Sequence, residues 1–337
     1  MNIQEEVQRE STNSGHNHRD IDIVVVAFNE AERIALCLQA LLNQATELVY
    51  RVVVVDDGSL DETSKIVQQI QVDDSRLSLI RHDVNLGRGA ARRTGQDASR
   101  APRIAFVDAD IVVPLDWLQR CTDALEGFSA VSAVALPDGD SAVIWRIFRP
   151  TIRIRVGFTG IAGGNVLFDA AALRTEPFGS HYKLGEDFRL AHRLLRRGFK
   201  LKILEDLHVE HRESKSYRCA LKYTWETGVD AASHPFEFRI IRLPDVIWLI
   251  SLIWSLASIV AVVTGWWTWW LGFLSLLSVA LVTTLFYTFS RFRIRPGPLR
   301  WIGSAFGNFP LIILYFAGRT WGLAILSMPQ RRRVLGL

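Results

Sequence analysis

The chain has 337 residues, 49% of them hydrophobic, with a net charge of +4 and a mean hydropathy of +0.15. Its three cysteines, Cys37, Cys121 and Cys219, are widely spaced, which excludes a disulfide scaffold and a cysteine-rich zinc site and favours reduced thiols on a cytosolic face. The apolar excess lies after residue 244, so a charged α/β half precedes a half whose apolar runs are too long for globular helices.

Residues 1–20 are polar and lack an apolar stretch, which predicts a disordered tail and no cleavable signal peptide. The β-branched run from Ile21 to Ala27 predicts a strand. It is followed by Phe28-Asn29-Glu30 and by helical spacing through Ile34, Leu38, Leu41 and Leu42. Arg51 to Val55 reads as a second strand ending in Asp56-Asp57-Gly58-Ser59, with Ser59 or Asp61 able to cap a helix over Glu62 to Ile70. Leu77 to Ile80 is a third strand. Asn85-Leu86-Gly87-Arg88-Gly89 then turns into a helix carrying Arg92, and Ile104 to Val107 is a fourth strand, closed by Asp108-Ala109-Asp110.

Strands alternating with helices predict an α/β, mostly parallel, Rossmann-like sheet with ligands in the crevice beyond the strands' carboxyl ends. Asn29, Glu30, Asp57, Asp108 and Asp110 all fall at such ends. Alternate side chains of an extended backbone share a face, so Asp108 and Asp110 can present two hard oxygen ligands to a divalent cation that shares a substrate diphosphate. A strand-ending turn explains the same triplet taken alone. No Gly-x-Gly-x-x-Gly follows the first strand and no P-loop is present, which disfavours a dinucleotide dehydrogenase and a P-loop enzyme.

The ordered set of motifs across residues 21–232 resembles the inverting family 2 glycosyltransferases of the GT-A fold. Phe28-Asn29-Glu30 resembles the family's opening motif, Val55-Asp56-Asp57-Gly58-Ser59 its nucleotide motif and Asn85-Leu86-Gly87 its Asn-x-Gly turn. Asp108-Ala109-Asp110 resembles the metal motif, Gly163-Gly164-Asn165 the glycine loop, Gly185-Glu186-Asp187 the acceptor-side acidic motif and His211 the late histidine. The resemblance implies Mg²⁺ or Mn²⁺ held by Asp110 with Asp108 and His211, and a UDP- or GDP-linked sugar bound by Phe28, Asn29, Glu30, Asp57, Gly58, Arg92, Asp108, Gly163, Gly164 and Asn165. It also implies an acid–base centre at Asp187 beside Glu186. Each assignment has a plainer competitor: a solvated helix face for Arg92, a strand-entry loop for Gly163 and Gly164, and an N-cap for Asp187. His208 reads as packing.

Val246 to Thr264 and Trp266 to Phe289 are each long enough to cross about 30 Å of hydrocarbon. The Gly265 to Trp270 turn between them carries an aromatic belt, and Arg291 to Arg300 follow. These features predict a multi-pass membrane protein: a catalytic domain over 21–235 on the cytosolic side, an interfacial segment 236–244, a hairpin 245–290, a basic loop 291–300 and a basic tail 329–337. The third apolar stretch, 301–328, contains Asn308, Pro310 and Arg319 and reads as a re-entrant or interface-lying pair of helices, with a third crossing as the competitor. Arg319 would then meet a lipid phosphate or backbone carbonyls.

Arginines interleave with apolar residues from Ile144 to Arg155 and from Phe236 to Arg242. Such mixtures suit an anionic lipid surface or a phosphate-bearing ligand better than base readout, because no nucleic-acid motif accompanies them. A two-faced strand explains the first equally well. The expected acceptor is a polyprenyl phosphate, lipid-linked glycan or glycolipid. A processive polysaccharide synthase is disfavoured because the stretch Tyr217 to Trp225 lacks Gln-x-x-Arg-Trp. A non-catalytic nucleotide-binding scaffold is the remaining alternative, and the acidic cleft argues against it.

Overall fold

The computed structural model describes residues 19–137, 161, 163–180, 185–212, 217–234, 237, 243–291 and 298–326. Residues 1–18 of the tail expected over 1–20, the basic stretch 144–155, residues 292–297 and the C-terminal tail lie outside these, as do residues 236 and 238–242 of the second basic stretch. The chain forms two compact units, one from residues 1–135 and 156–211 and one from residues 136–155 and 212–337.

The first unit runs β1 (Ile21–Ala27), α1 (Ile34–Leu42), β2 (Tyr50–Asp56), α2 (Thr63–Asp73), β3 (Leu77–Arg81), α3 (Arg88–Ala98) and β4 (Arg103–Asp108). It continues through β5 (Ile111–Val112), α4 (Trp117–Asp123), β6 (Ala130–Pro137), β7 (Asn165–Asp169), α5 (Ala170–Thr175), α6 (Glu186–Arg196) and β8 (Leu201–His211). The eight strands form one sheet in the order β3-β2-β1-β4-β7-β6-β8-β5. The first four strands are parallel, as the alternation with helices requires. Beyond β4 the sheet continues with antiparallel pairs: β7 on β4, β6 on β7 and β5 on β8.

Both faces of the parallel half are covered, so its strands are mostly apolar rather than alternating. Ile21, Ile23 and Val25 pack on one face with Leu38, Leu41 and Trp117. Val24 and Val53 face the other way, onto Phe106, Phe168, Leu190 and Leu194. Each such side chain contributes about 1.5–3 kcal/mol on burial. Asp22, buried within β1, is matched by the Nε of Arg51 at 2.6 Å and by the backbone N–H groups of Arg100 and Ala101 at 2.7 and 3.0 Å.

Register brings the strand ends level. Ala27 pairs with Asp56 and Val26 with Asp108, so the chain leaves β1, β2 and β4 along one edge. Because β7 is antiparallel to β4, with Asn165 across from Val107, the Gly163-Gly164 dipeptide that enters β7 arrives at this same edge. Pairing of Ile111 with His211 brings the end of β8 there too.

The second unit contains α7 (Tyr217–Ala231), α8 (Leu243–Val263), α9 (Trp269–Arg291) and α10 (Pro298–Leu326). Its boundary differs from the sequence expectation: α7, read from sequence as part of the α/β domain, packs instead along α10. The contact depends on glycines. A Cβ at Gly228 would lie 2.2 Å from the carbonyl oxygen of Tyr315, and Cβ atoms at Gly318 and Gly322 would lie 2.5 Å from the carbonyl oxygens of Trp225 and Val229. Small residues let the two backbones approach closely, as in tightly packed membrane helices.

Residues 298–326 are one continuous helix with Pro310 inside it, not a pair of helices. A proline removes one backbone hydrogen bond, which a packed helix tolerates. The charge partner of Arg319 within the protein is a carboxylate, Asp245. Arg319 is fully buried, pairs with Asp245, and stacks its guanidinium 4.9 Å from the ring centre of Trp248, because an unpaired charge in an apolar segment is costly.

Among the described residues one segment is long and apolar enough to cross a membrane, Asp245–Val263 in α8, with mean hydropathy 2.5. In α9 the described apolar part, Trp269–Val282, is shorter. The two helices are joined by hydrogen bonds from Trp254 Nε1 to Ser275 Oγ and between Ser258 and Ser275, each 2.9 Å.

Candidate active site

The edge where β1, β2, β4, β7 and β8 meet gathers the acidic residues. Asp108 ends β4, and its Oδ1 accepts a hydrogen bond from Nη2 of Arg92 at 2.8 Å. Burial pushes the Asp108 pKa up, but the charges of Arg92 and Arg88 more than reverse this and hold it at about 2. Arg92 is 1% exposed, so the solvated-face reading fails. Its second arm, Nη1, donates to Glu186 Oε1. Glu186 is equally buried, and burial, offset in part by Arg92 and reinforced by Asp187, raises its pKa above the usual carboxylate range.

Gly185, in the left-handed conformation at φ 66°, precedes α6 and is its N-cap, so Asp187 stands inside the first turn and is not the cap. The Asp187 Oδ2 accepts the Gly163 N–H at 3.2 Å and its Oδ1 accepts the N–H of Phe188 at 2.7 Å. The helix dipole favours a carboxylate there. Gly163 therefore gives its N–H to Asp187, where the sequence reading assigned it to the donor. Gly164 accepts the N–H of Asp108 at 2.9 Å. Asn165, 1% exposed, uses its Oδ1 to accept the N–H of Ala133 at 2.8 Å, while its buried Nδ2 has no partner among the described residues.

The nucleotide-motif residues are committed to building loops. Asp57, 2% exposed, accepts the N–H groups of Leu86 and Gly87 at 2.9 and 2.8 Å and faces His82 Nδ1 at 2.7 Å. Its carboxylate thus pins the 82–87 loop. Gly58 passes that loop at φ 75°, and a Cβ there would come within 2.6 Å of the Val84 carbonyl carbon. Asn29 adopts φ 55°, takes the Ser59 hydroxyl as acceptor for its N–H at 2.9 Å and accepts the Leu60 N–H at 2.8 Å. Glu30 pairs with Arg33 at 2.6 Å, and Phe28 is exposed just beyond β1.

Asp110 Oδ2 lies 3.2 Å from Nε2 of His211. Its Oδ1 is buried without a hydrogen-bond partner among the described residues, which fits a carboxylate oxygen kept for a cation. Among the described residues no three His, Cys, Asp or Glu side chains gather at metal-binding spacing. Asp110 and His211 alone would not complete the shell of a divalent cation, which would need further oxygen ligands.

Two contributors carry no sequence motif. His82 bridges Asp57 to Thr94 Oγ1, at 3.0 Å on the Thr94 side. Arg88 adds its charge to Asp108 and Glu186. Arg88 was legible in principle, since residues four apart share a helix face and Arg92 is the other member.

Residues 22–182 match the family model described as glycosyl transferase family 2. Glycosyltransferase AglE of Haloferax volcanii is 34% identical over 108 residues, covering 32% of this chain and 36% of that protein. Succinoglycan biosynthesis protein ExoO of Rhizobium meliloti is 39% identical over 115 residues, covering 34% of this chain and 32% of that protein. The chain thus spans about a third of the length of these curated relatives. A mannosyltransferase, PcManGT of Pyrobaculum calidifontis, solved with GDP-Man and Mn²⁺, is 18% identical with a TM-score of 0.59, covering 90% of this chain and 87% of that one. The likeness shows that the fold is GT-A.

Proposed function

We propose that the chain, which carries a glycosyl transferase family 2 domain at residues 22–182, transfers one sugar with inversion from a UDP- or GDP-linked donor to a membrane-borne acceptor. The observation that carries the reading is the buried Oδ1 of Asp110, without a hydrogen-bond partner among the described residues, together with the pairing of Arg92 to both Asp108 and Glu186, the residue before Asp187. Asp187 takes the proton from the acceptor hydroxyl as that oxygen attacks the anomeric carbon and the nucleoside diphosphate departs on the opposite face. Asp110 and His211, with Asp108 nearby, are the residues that would hold Mg²⁺ or Mn²⁺. When bound, such an ion neutralises charge developing on the diphosphate. The mannosyltransferase solved with GDP-Man and Mn²⁺ supports a nucleotide-sugar donor and a divalent cation in this fold.

The 82–87 loop pinned by Asp57 and the turn fixed by Asn29 shape the wall on which the nucleotide rests. The apolar length of α8 supports membrane attachment, with α9 returning beside it as a hairpin and the catalytic unit on the cytosolic side. The acceptor is a lipid-linked glycan or glycolipid, whose hydroxyl gives its proton to Asp187, or a polyprenyl phosphate, whose already ionised phosphate oxygen attacks without that transfer.

The test uses purified protein in lipid with UDP- and GDP-sugars and Mn²⁺ or Mg²⁺. Asp187→Asn is expected to lose about 10²–10⁴-fold in turnover with its melting temperature retained. Asp110→Ala is expected to lose the cation stimulation. Wild-type turnover in Asp187→Asn contradicts the assignment of the base.

A further inference from the structure

We propose that Arg92 and the Gly163-Gly164 dipeptide are a positioning device that fixes the spacing between the donor-side carboxylate Asp108 and Asp187; the inference rests on the reading of Asp187 as base. Two independent bridges join the two sides of the site. One is the guanidinium, which spends Nη2 on Asp108 and Nη1 on Glu186, the residue preceding Asp187. The other is backbone: Gly163 donates to Asp187 and Gly164 accepts from Asp108, so neighbouring residues reach opposite sides.

The packing leaves no slack. A Cβ at Gly163 would lie 2.5 Å from Asp187 Cβ and 2.8 Å from Arg92 Nη1, and one at Gly164 would lie 2.8 Å from Asp108 Oδ2. Arg92 is backed by the ring of Phe178, 5.8 Å from its guanidinium carbon. That ring belongs to an edge-on trio with Phe106 and Phe168, with centroids 4.8–6.1 Å apart. Both terminal nitrogens are therefore occupied and the group is fixed from behind. Its Nε is buried without a hydrogen-bond partner among the described residues, so the two terminal nitrogens carry the bridge, the geometry of a strut rather than of a phosphate ligand. A lysine at this position keeps the charge but offers one compact ammonium, which cannot span both carboxylates in a fixed plane.

The chemical consequence is alignment. Misplacing a reacting group by about 1 Å costs roughly 10²-fold in rate without weakening binding to match. The strut therefore acts on kcat, whereas a phosphate ligand acts on donor KM.

The experiment compares wild type, Arg92→Lys, Gly163→Ala and Asp187→Asn in lipid, on whichever UDP- or GDP-sugar the wild type turns over. Binding of UDP and GDP with Mn²⁺ is measured in parallel, and rates are normalised to folded protein. Arg92→Lys and Gly163→Ala are expected to lose about 10–100-fold in kcat while donor KM and nucleotide affinity stay within about threefold. Should Arg92→Lys fold poorly, Glu186→Gln reads the same bridge without a change of shape. A rise in donor KM with kcat retained overturns the proposal, and so does a normal kcat per folded molecule. The two readings fail separately: wild-type kcat in Asp187→Asn removes the base, whereas an inactive Asp187→Asn beside a normal-kcat Arg92→Lys removes the strut alone.

Discussion

At the residue scale, the acidic side chains were visible in the sequence because each ends a strand, and strand ends face the crevice in a parallel sheet. Their partners were not visible. Asp57 reads as a ligand contact, yet its oxygens hold the backbone of Leu86 and Gly87, a connection between residues about thirty apart that spacing cannot reveal. Arg92 reads from sequence as either a phosphate contact or a solvated helix face, and is turned inward by two carboxylates from distant segments. Asp22 shows the same blindness. Its hydrogen bonds to Arg51, Arg100 and Ala101 outweigh burial and lower its pKa. A lowered carboxylate contributes stability that is complete above its unfolded value near 4 and is lost as pH falls through the lower folded value. Asp22→Asn is therefore expected to melt earlier than wild type at pH 7, by about 1–3 kcal/mol, with the difference shrinking below about pH 4. Thermal melts across that range check it; a pH-independent gap contradicts the role given to the charge. Gly58→Ala combines a strained φ with backbone overlap and is expected to cost at least about 1 kcal/mol, read by denaturant titration.

At the element scale, β1 to β4 and their helices follow directly from β-branched runs alternating with amphipathic ones. The antiparallel half does not, because β5 is two residues long and β8 reaches it from about a hundred residues away. That pairing is nevertheless what brings His211 to Asp110, so the motif was legible and its geometry was not. The helix pair α7 and α10 makes a similar point. Gly318 and Gly322 look like ordinary apolar-segment glycines, and Gly228 like a glycine of a polar helix, until the two backbones are in contact. Gly318→Leu is expected to separate the helices and cost about 1–3 kcal/mol or more, seen as earlier loss of helical signal on heating in detergent. An unchanged transition contradicts the close contact. Pro310 misleads for the opposite reason: a proline signals a break in isolation, and whether the helix continues depends on neighbours that the local pattern does not show.

At the scale of the whole molecule, a soluble-type GT-A unit and an apolar helical unit share one chain, and the apolar excess beyond residue 244 announces the second from composition alone. Sugar, base and acceptor were not legible, because specificity resides in loop shape rather than in composition. The proposed nucleotide-sugar site, on a chain that also carries a membrane-length helix, predicts where the product is found. Wild-type protein in lipid vesicles, given radiolabelled UDP- and GDP-sugars with Mn²⁺, should place label in the organic-extractable lipid fraction, and Asp187→Asn should place none there. Label confined to water-soluble products, or equal lipid labelling by the two proteins, would contradict the account.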